Sequence, residues 1–358
     1  MVFSNKKKRN QYKFYFEGSI LEEDSNYKYL GIGFNKNLNW DGCRKKRILG
    51  GWKGWYALQN RCREAELRNW KASQTLLGLL VLPVILYGCE LWASNTSGSQ
   101  WKQSEQIQKH LITSKFKIKN TVPYEIMLSE TGVAPIEAIV MVRLISYLKR
   151  IGTMEEGRWS KAVFNDTLCK RKKTWMQQNI KWLSKWNIYL NSCPTNSKEI
   201  KAFVMDKFHK WAWGNELARK KKYYITKFNS AYDHHQKAYI RAYISWKAKC
   251  IIAQLRTNSH QLHSEIGCWK RPKETWEERV CIFCTSGKVE TEKHFILECD
   301  VFKDVRDKYN KLLTEGSWYD LFSEDFVERL GPLVSILHRK RADLQKSVRS
   351  YVLSHRLC

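Results

Sequence analysis

Cys281, Cys284, His294 and Cys299 fall within nineteen positions of a 358-residue chain. A zinc ion imposes no directional preference of its own. It accepts a tetrahedral cage of thiolates and imidazole, and a closed set of four protein ligands is the structural form of that cage. Cys281-Ile-Phe-Cys284 suits a tight knuckle in which both sulfurs converge on one ion, while His294 and Cys299, five positions apart, project from one side of a short helix. With eleven cysteines in the chain, chance supplies about 0.3 Cys-x-x-Cys pairs per chain, so the His294 and Cys299 half raises the signal. Buried or solvated cysteines without a metal are the competing explanation. If zinc is bound, the closed set gives it a folding role, because no position is left open for water. Lys293, Glu298 and Asp300 flank the set without joining it.

Composition bounds the rest of the chain. At 43% apolar residues with sixteen tryptophans it can bury a core, which excludes disorder throughout, and its length suggests two or three domains. Lys plus Arg outnumber Asp plus Glu by 63 to 35, a net charge of +28. That excess points to a polyanion, with RNA or DNA as the leading partner, bound through phosphates and weakened by salt. A merely basic surface is the blander alternative. Met1-Val-Phe runs directly into Lys6-Lys7-Lys8-Arg9 with no apolar stretch behind it, so the expected location is intracellular, nuclear or cytoplasmic, and not secreted. An odd number of scattered cysteines then favours reduced thiols plus metal over disulfides. The longest apolar run, Leu76 to Leu86, is interrupted by Gly78 and Pro83 and is too short for a bilayer, so no membrane partner is expected.

Periodicity predicts a mainly α chain that opens on a β-hairpin. Residues 12–18 and 27–34 alternate aromatic and charged or β-branched positions and read as two strands of one hairpin, joined through the polar Leu21–Asn26 stretch. Gly31 and Gly33 permit a bulge or close backbone approach. From Trp40, the spacing of Ile48, Trp52, Trp55, Leu58 and Cys62 predicts an amphipathic helix with Lys or Arg, Lys45, Lys46 and Arg47 among them, on the other face. Residues 94–99 read as a loop, Trp101–Phe116 as a helix, and Ile136 to Ile151 as another, with Pro135 at its first position. The region 158–254 interleaves Trp159, Trp175, Trp182, Trp186, Trp211, Trp213 and Trp246 with Lys170-Arg171-Lys172-Lys173 and Lys220-Lys221-Lys222. Single-stranded nucleic acid wants rings among cations, yet core tryptophans on amphipathic helices are the better explanation for most of these residues, leaving the lysine runs as the candidate contacts. A polar break at 191–197 separates two helical segments there. After Cys299 helix is expected to Leu313, and two further helices from Trp318 onward. Five segments result: 1–40, 41–157, 158–254, 255–315 and 316–358.

No catalytic constellation stands out. A metal-dependent polymerase or nuclease needs clustered carboxylates, and the chain has no Asp-Asp pair. Tyr232-Asp233-His234-His235 offers metal-binding types, with a solvated turn as the better explanation. Phosphate-loop, zinc-protease and nucleophile-elbow motifs are absent.

Three blocks carry a family resemblance. Asn26-Tyr27-Lys28-Tyr29-Leu30-Gly31-Ile32 resembles the primer-grip hairpin that follows the palm of non-LTR (LINE-type) retrotransposon reverse transcriptases. Leu82-Pro83-Val84-Ile85-Leu86-Tyr87-Gly88-Cys89-Glu90-Leu91-Trp92 is similar to the thumb signature of the same proteins. Leu255-Arg256, Leu262, Glu265, Gly267, Trp269, Arg279, Cys281, Cys284, Glu292, His294, Phe295 and Cys299 look like their C-terminal zinc-binding region. His294 stands farther from Cys284 than in the compact retroviral knuckle, so that fold is not carried over.

The resemblance implies a hairpin near a primer terminus, a helical thumb-like bundle over 41–157, a Trp-rich helical linker and a small zinc-knuckle module. It implies nucleic-acid contacts at Tyr27, Lys28, Tyr29, Gly31, Arg256 and Arg279 besides the basic runs. It also implies that fingers and palm, with the aspartate pair holding Mg2+, precede these residues in a complete polymerase, so no nucleotide transfer is expected from this chain alone. A host-adopted zinc-containing module that binds nucleic acid or a protein is the alternative.

Overall fold

A computed structural model describes residues 13–22, 24–37, 40–96, 98–169, 174–214, 224, 235–309, 313, 318 and 320–355, and the fold is mainly helical. The principal helices are α1 (Asp41–Glu64), α2 (Gly98–Phe116), α3 (Tyr124–Thr131), α4 (Ile136–Gly152), α5 (Trp175–Ser184), α6 (Ser197–Gly214), α7 (Trp246–Arg256) and α8 (Glu324–His355). The chain divides into two compact units. The first comprises Met1–Leu67, Lys71–Ile107 and Pro135–Phe208, and the second Arg68–Trp70, Gln108–Ala134 and His209–Cys358. The five consecutive segments expected from sequence are therefore interleaved: 108–134 leaves the thumb-like range for the second unit, and 158–208 joins the first.

The first unit opens on two hairpins where one was expected. Strand β1 (Tyr15–Phe16) pairs with β2 (Ser19–Ile20), and β3 (Asn26–Tyr29) pairs with β4 (Ile32–Asn35), both antiparallel. Each turn has two residues, Glu17-Gly18 (φ 46° and 80°) and Leu30-Gly31 (φ 45° and 79°). Positive φ at both positions is the turn geometry that matches strand twist, and it closes a hairpin locally. The polar stretch around Asp24 connects the hairpins instead of forming a turn within one.

Helix α1 begins one residue after Trp40 and runs 24 residues, burying Ile48, Trp55 and Leu58. It lies close against Leu82–Ile85, since a Cβ at Gly51 would stand 2.3 Å from Ile85 Cγ1. Pro83 has no N–H for the carbonyl one turn back, and the helix from Trp70 widens to a π turn over Leu77–Val81 just before it. Helix α4 starts after Pro135, which sits at the N-cap, and places Ile136, Val140, Met141, Leu144, Ile145, Leu148 and Ile151 in the core. Each such aliphatic side chain contributes roughly 1.5–3 kcal/mol by leaving water. Tryptophans of the Trp-rich region complete this core. Trp182 stacks on Trp101 at 5.8 Å, Trp101 meets Trp92 at 6.1 Å, and Trp175 donates to the Glu90 carbonyl. Trp159, by contrast, is exposed.

In the second unit, Trp246 of α7 packs on Phe116. Leu330, Leu333, Val334 and Leu337 of α8 are fully buried. The expected pair of C-terminal helices is one 32-residue helix that continues through Pro332. Helix after Cys299 is shorter than expected, a 3-10 turn over Asp300–Phe302 and then Lys303–Asp307. Glu130 of α3 and Arg256 of α7 form a buried ion pair, Nε to the two carboxylate oxygens at 2.9 and 3.0 Å, and the Tyr224 hydroxyl donates to the same carboxylate. Among the described residues no single helix is long and apolar enough to cross a membrane.

Candidate metal centre

The knuckle is a short antiparallel turn. Val280 bridges Val289, Cys281 N–H donates to Lys288 O at 2.8 Å and Glu290 N–H to Arg279 O at 3.0 Å, so the chain from Cys281 to Cys284 curls back on itself. The second half is a π turn, His294–Glu298, and not an ordinary helix. Cys299 N–H bonds the His294 carbonyl at 2.8 Å, and this five-residue ring swings Cys299 beside His294. Thr291 anchors the turn by accepting the His294 N–H on its hydroxyl at 3.1 Å. Phe295 and Phe302, edge to face at 5.4 Å, close the apolar floor.

Cys281 Sγ lies 3.9 Å from Cys299 Sγ, Cys284 Sγ lies 3.4 Å from His294 Nε2, and all four donor atoms fall within 4.8 Å of one another. A tetrahedral ion about 2.3 Å from each sulfur separates its sulfurs by about 3.8 Å. The four residues fit such an ion and can hold a metal. Among the described residues they are the group that does so; Tyr232, Asp233 and His234 lie outside those residues.

Electrostatics agree with the geometry. Burial pushes the Cys299 thiol up to about 12, with charge on Cys281 adding to it, and burial raises Cys281 as well. Burial also works against a Cys284 thiolate, but hydrogen bonds from the Ser286 hydroxyl and backbone outweigh it and hold that thiol below the ordinary value. Burial lowers His294, keeping the ring neutral, the form that ligates. A coordinated cation deprotonates such thiols outright, which burial alone resists. Behind the ring, Glu298 Oε2 stands 3.8 Å from His294 Nδ1, the side on which a carboxylate orients a ligating imidazole.

Sequence reasoning missed the frame that holds the knuckle. Glu290, nine positions after Cys281, is buried and paired with Arg341 of α8 at 2.8 and 3.0 Å, and it accepts the His263 N–H at 2.6 Å. Arg341 also donates to the Gln261 carbonyl and lies over the Phe283 ring at 5.3 Å. Buried Glu292 meets His260 Nε2 at 2.6 Å. These pairs span 32 to 51 residues of sequence and leave no local signal.

The candidate nucleic-acid residues divide into three groups. Tyr27, Lys28 and Tyr29 are exposed on β3, and Lys45 and Lys46 on α1. Lys28, Gly31, Lys46 and Arg47 line one groove of about 680 Å3 between the β3–β4 hairpin and α1. Arg47 donates to the Gly31 carbonyl at 2.5 Å and lies over the Tyr87 ring at 4.5 Å, while Tyr87 donates to the Leu30 carbonyl at 2.8 Å. Gly88 (φ 66°) is pressed against Ile32, whose Cδ1 would stand 2.4 Å from an added Cβ. Arg256 and Arg279, in contrast, are buried. Arg256 is engaged by Glu130, and Arg279 donates to the carbonyls of Ser264 and Glu274 at 3.0 and 2.8 Å, so both serve the interior rather than a surface phosphate. Lys170, Arg171, Lys172, Lys173, Lys220, Lys221 and Lys222 lie outside the described residues.

Comparison of the chain with protein-family models, curated proteins and solved structures finds no match.

Proposed function

We propose that this chain is a nucleic-acid-binding C-terminal part of a reverse transcriptase of the non-LTR type, with a structural zinc ion at Cys281, Cys284, His294 and Cys299. One observation carries the reading. Two stretches that separately resemble the primer grip and the thumb, 26–32 and 82–92, are folded against each other through Tyr87, Gly88 and Arg47. Their junction borders a groove with Lys28 and Lys46 at its edge. A strand of phosphates laid there meets cations on a rigid frame. Zinc is the metal that suits three thiolates and one imidazole in a closed tetrahedron, and its work is to hold the knuckle folded. RNA or DNA is the partner, and nucleotide transfer belongs to a palm that these residues do not supply.

The test is binding of purified protein to duplex, single-stranded and hybrid nucleic acid at two salt concentrations, with metal analysis of the same sample. Binding that weakens with salt, together with one zinc per chain, is the expected result. Salt-insensitive or absent binding overturns the nucleic-acid reading, and a protein free of zinc overturns the metal assignment. Primer extension with Mg2+ and dNTPs is expected to fail.

A further inference from the structure

The second unit contains a cavity of about 480 Å3 beside the knuckle, lined in part by Trp269, Trp276, Lys273, Asn258 and Pro123. Two tryptophans at one opening are 60% and 46% exposed, although indoles of this size ordinarily leave water. Neither ring is loose. Trp269 Nε1–H donates to Glu265 at 3.1 Å, and that carboxylate also holds Lys119 at 2.9 Å. Trp276 lies against the Arg279 guanidinium, 5.7 Å from the ring centre, and Arg279 is itself tied to the Glu274 carbonyl. The loop between the tryptophans is closed by the Glu274 N–H on Gly267 O and by the Lys270 ion pair with Glu274.

Rigid aromatic faces open to water suit a flat ligand, and Lys273 in the same lining offers its ammonium to a phosphate, while the lining carboxylates Glu265 and Glu292 are engaged by Lys119 and His260. The volume admits one mononucleotide and excludes a base-paired duplex. Resting on the nucleic-acid reading of the chain, we propose that this cavity captures one unpaired base of a bound single strand, stacked on Trp269 or Trp276 with its phosphate toward Lys273. Stacking of this kind tolerates any base, because every base has a π face.

The experiment compares a short single-stranded DNA with a strand of equal length and charge built from abasic sugars. Wild-type protein is expected to prefer the base-bearing strand by roughly 10-fold, the scale of one stacked base. Trp269→Ala and Trp276→Ala are expected to remove most of that preference while leaving abasic-strand affinity and zinc content unchanged, and Trp276→Phe to retain part of it. Equal, salt-sensitive affinity of wild type for both strands overturns the cavity assignment and leaves the broader reading standing. A preference that survives both alanine variants overturns it as well. Failure to bind either strand at low salt overturns the nucleic-acid reading itself.

Discussion

A buried carboxylate and a half-buried one set opposite problems at the residue scale. Glu130 is buried inside the second unit and is paired with Arg256 and with the Tyr224 hydroxyl. Truncating one partner of a buried pair leaves the other as an uncompensated charge, which costs about 3–5 kcal/mol, more than the pair itself contributes. Glu130→Ala is therefore expected to lower the unfolding free energy of the second unit by that amount, read from its urea curve. A Glu130→Met, Arg256→Met double variant is expected to lose much less, and chemical denaturation of all three proteins checks the difference. Glu137 of α4 is the converse case. Burial lifts its pKa from 4.5 to about 7, although Trp182 and Trp186 donate to it and Lys185 lies near. The folded state then holds a proton that the unfolded chain has released. Stability supplied by this group is complete below about pH 4.5 and is lost as pH rises through about 7. Glu137→Gln keeps an acceptor for the indoles without the charge. It is expected to stabilise the first unit by on the order of 2 kcal/mol at about pH 8, and by almost nothing near pH 4, in unfolding curves followed by tryptophan fluorescence.

At the scale of elements, the knuckle has a turn on each side and little else of its own to bury. Cys281, Phe295, Ile296 and Cys299 are covered, but the Cys284 arc is only half-buried. Binding energy of an ion held there would therefore be folding energy for this element. Chelation is expected to raise amide hydrogen exchange across 279–302 while α8 and α7 stay protected, with Cys284→Ser and His294→Ala showing the same pattern and reduced zinc. Unchanged exchange after metal removal would show that Glu290 and Arg341 hold the element without it. These elements also show where sequence sufficed. The Cys281, Cys284, His294 and Cys299 set was legible because all four lie within one local stretch, and α1 and α4 because their apolar spacing is long and regular. Pairing differs from the single expected hairpin because the polar stretch around Asp24 lies between two hairpins. The informative dipeptides were Glu17-Gly18 and Leu30-Gly31, whose glycines accept positive φ. Continuity of α8 through Pro332 was hidden for another reason: burial of Leu330, Leu333 and Leu337 outweighs one missing backbone hydrogen bond. Burial of Arg256 was equally out of reach, since its partner Glu130 is 126 residues away.

Over the whole molecule, an excess of 28 positive charges creates a field that attracts any polyanion, so affinity alone discriminates poorly between a groove and a diffuse surface. Salt dependence discriminates better, because each phosphate neutralised in a duplex releases condensed counterions and steepens the slope of log affinity against log salt by about 0.9. Lys28 and Lys46 reach the groove from two different elements, whereas Arg47 is committed to the Gly31 carbonyl and the Tyr87 ring and belongs to the frame. Lys28→Ala with Lys46→Ala is expected to flatten the slope on duplex DNA by roughly 1–2 and to leave thermal stability unchanged. Arg47→Ala is expected to do something different: release the hairpin from α1, lower affinity and raise exchange of the Asn26–Asn35 amides. Titrations at several salt concentrations, with exchange measured on the same variants, separate the two roles. A slope identical to wild type in the double lysine variant would place the phosphates on another face of the chain.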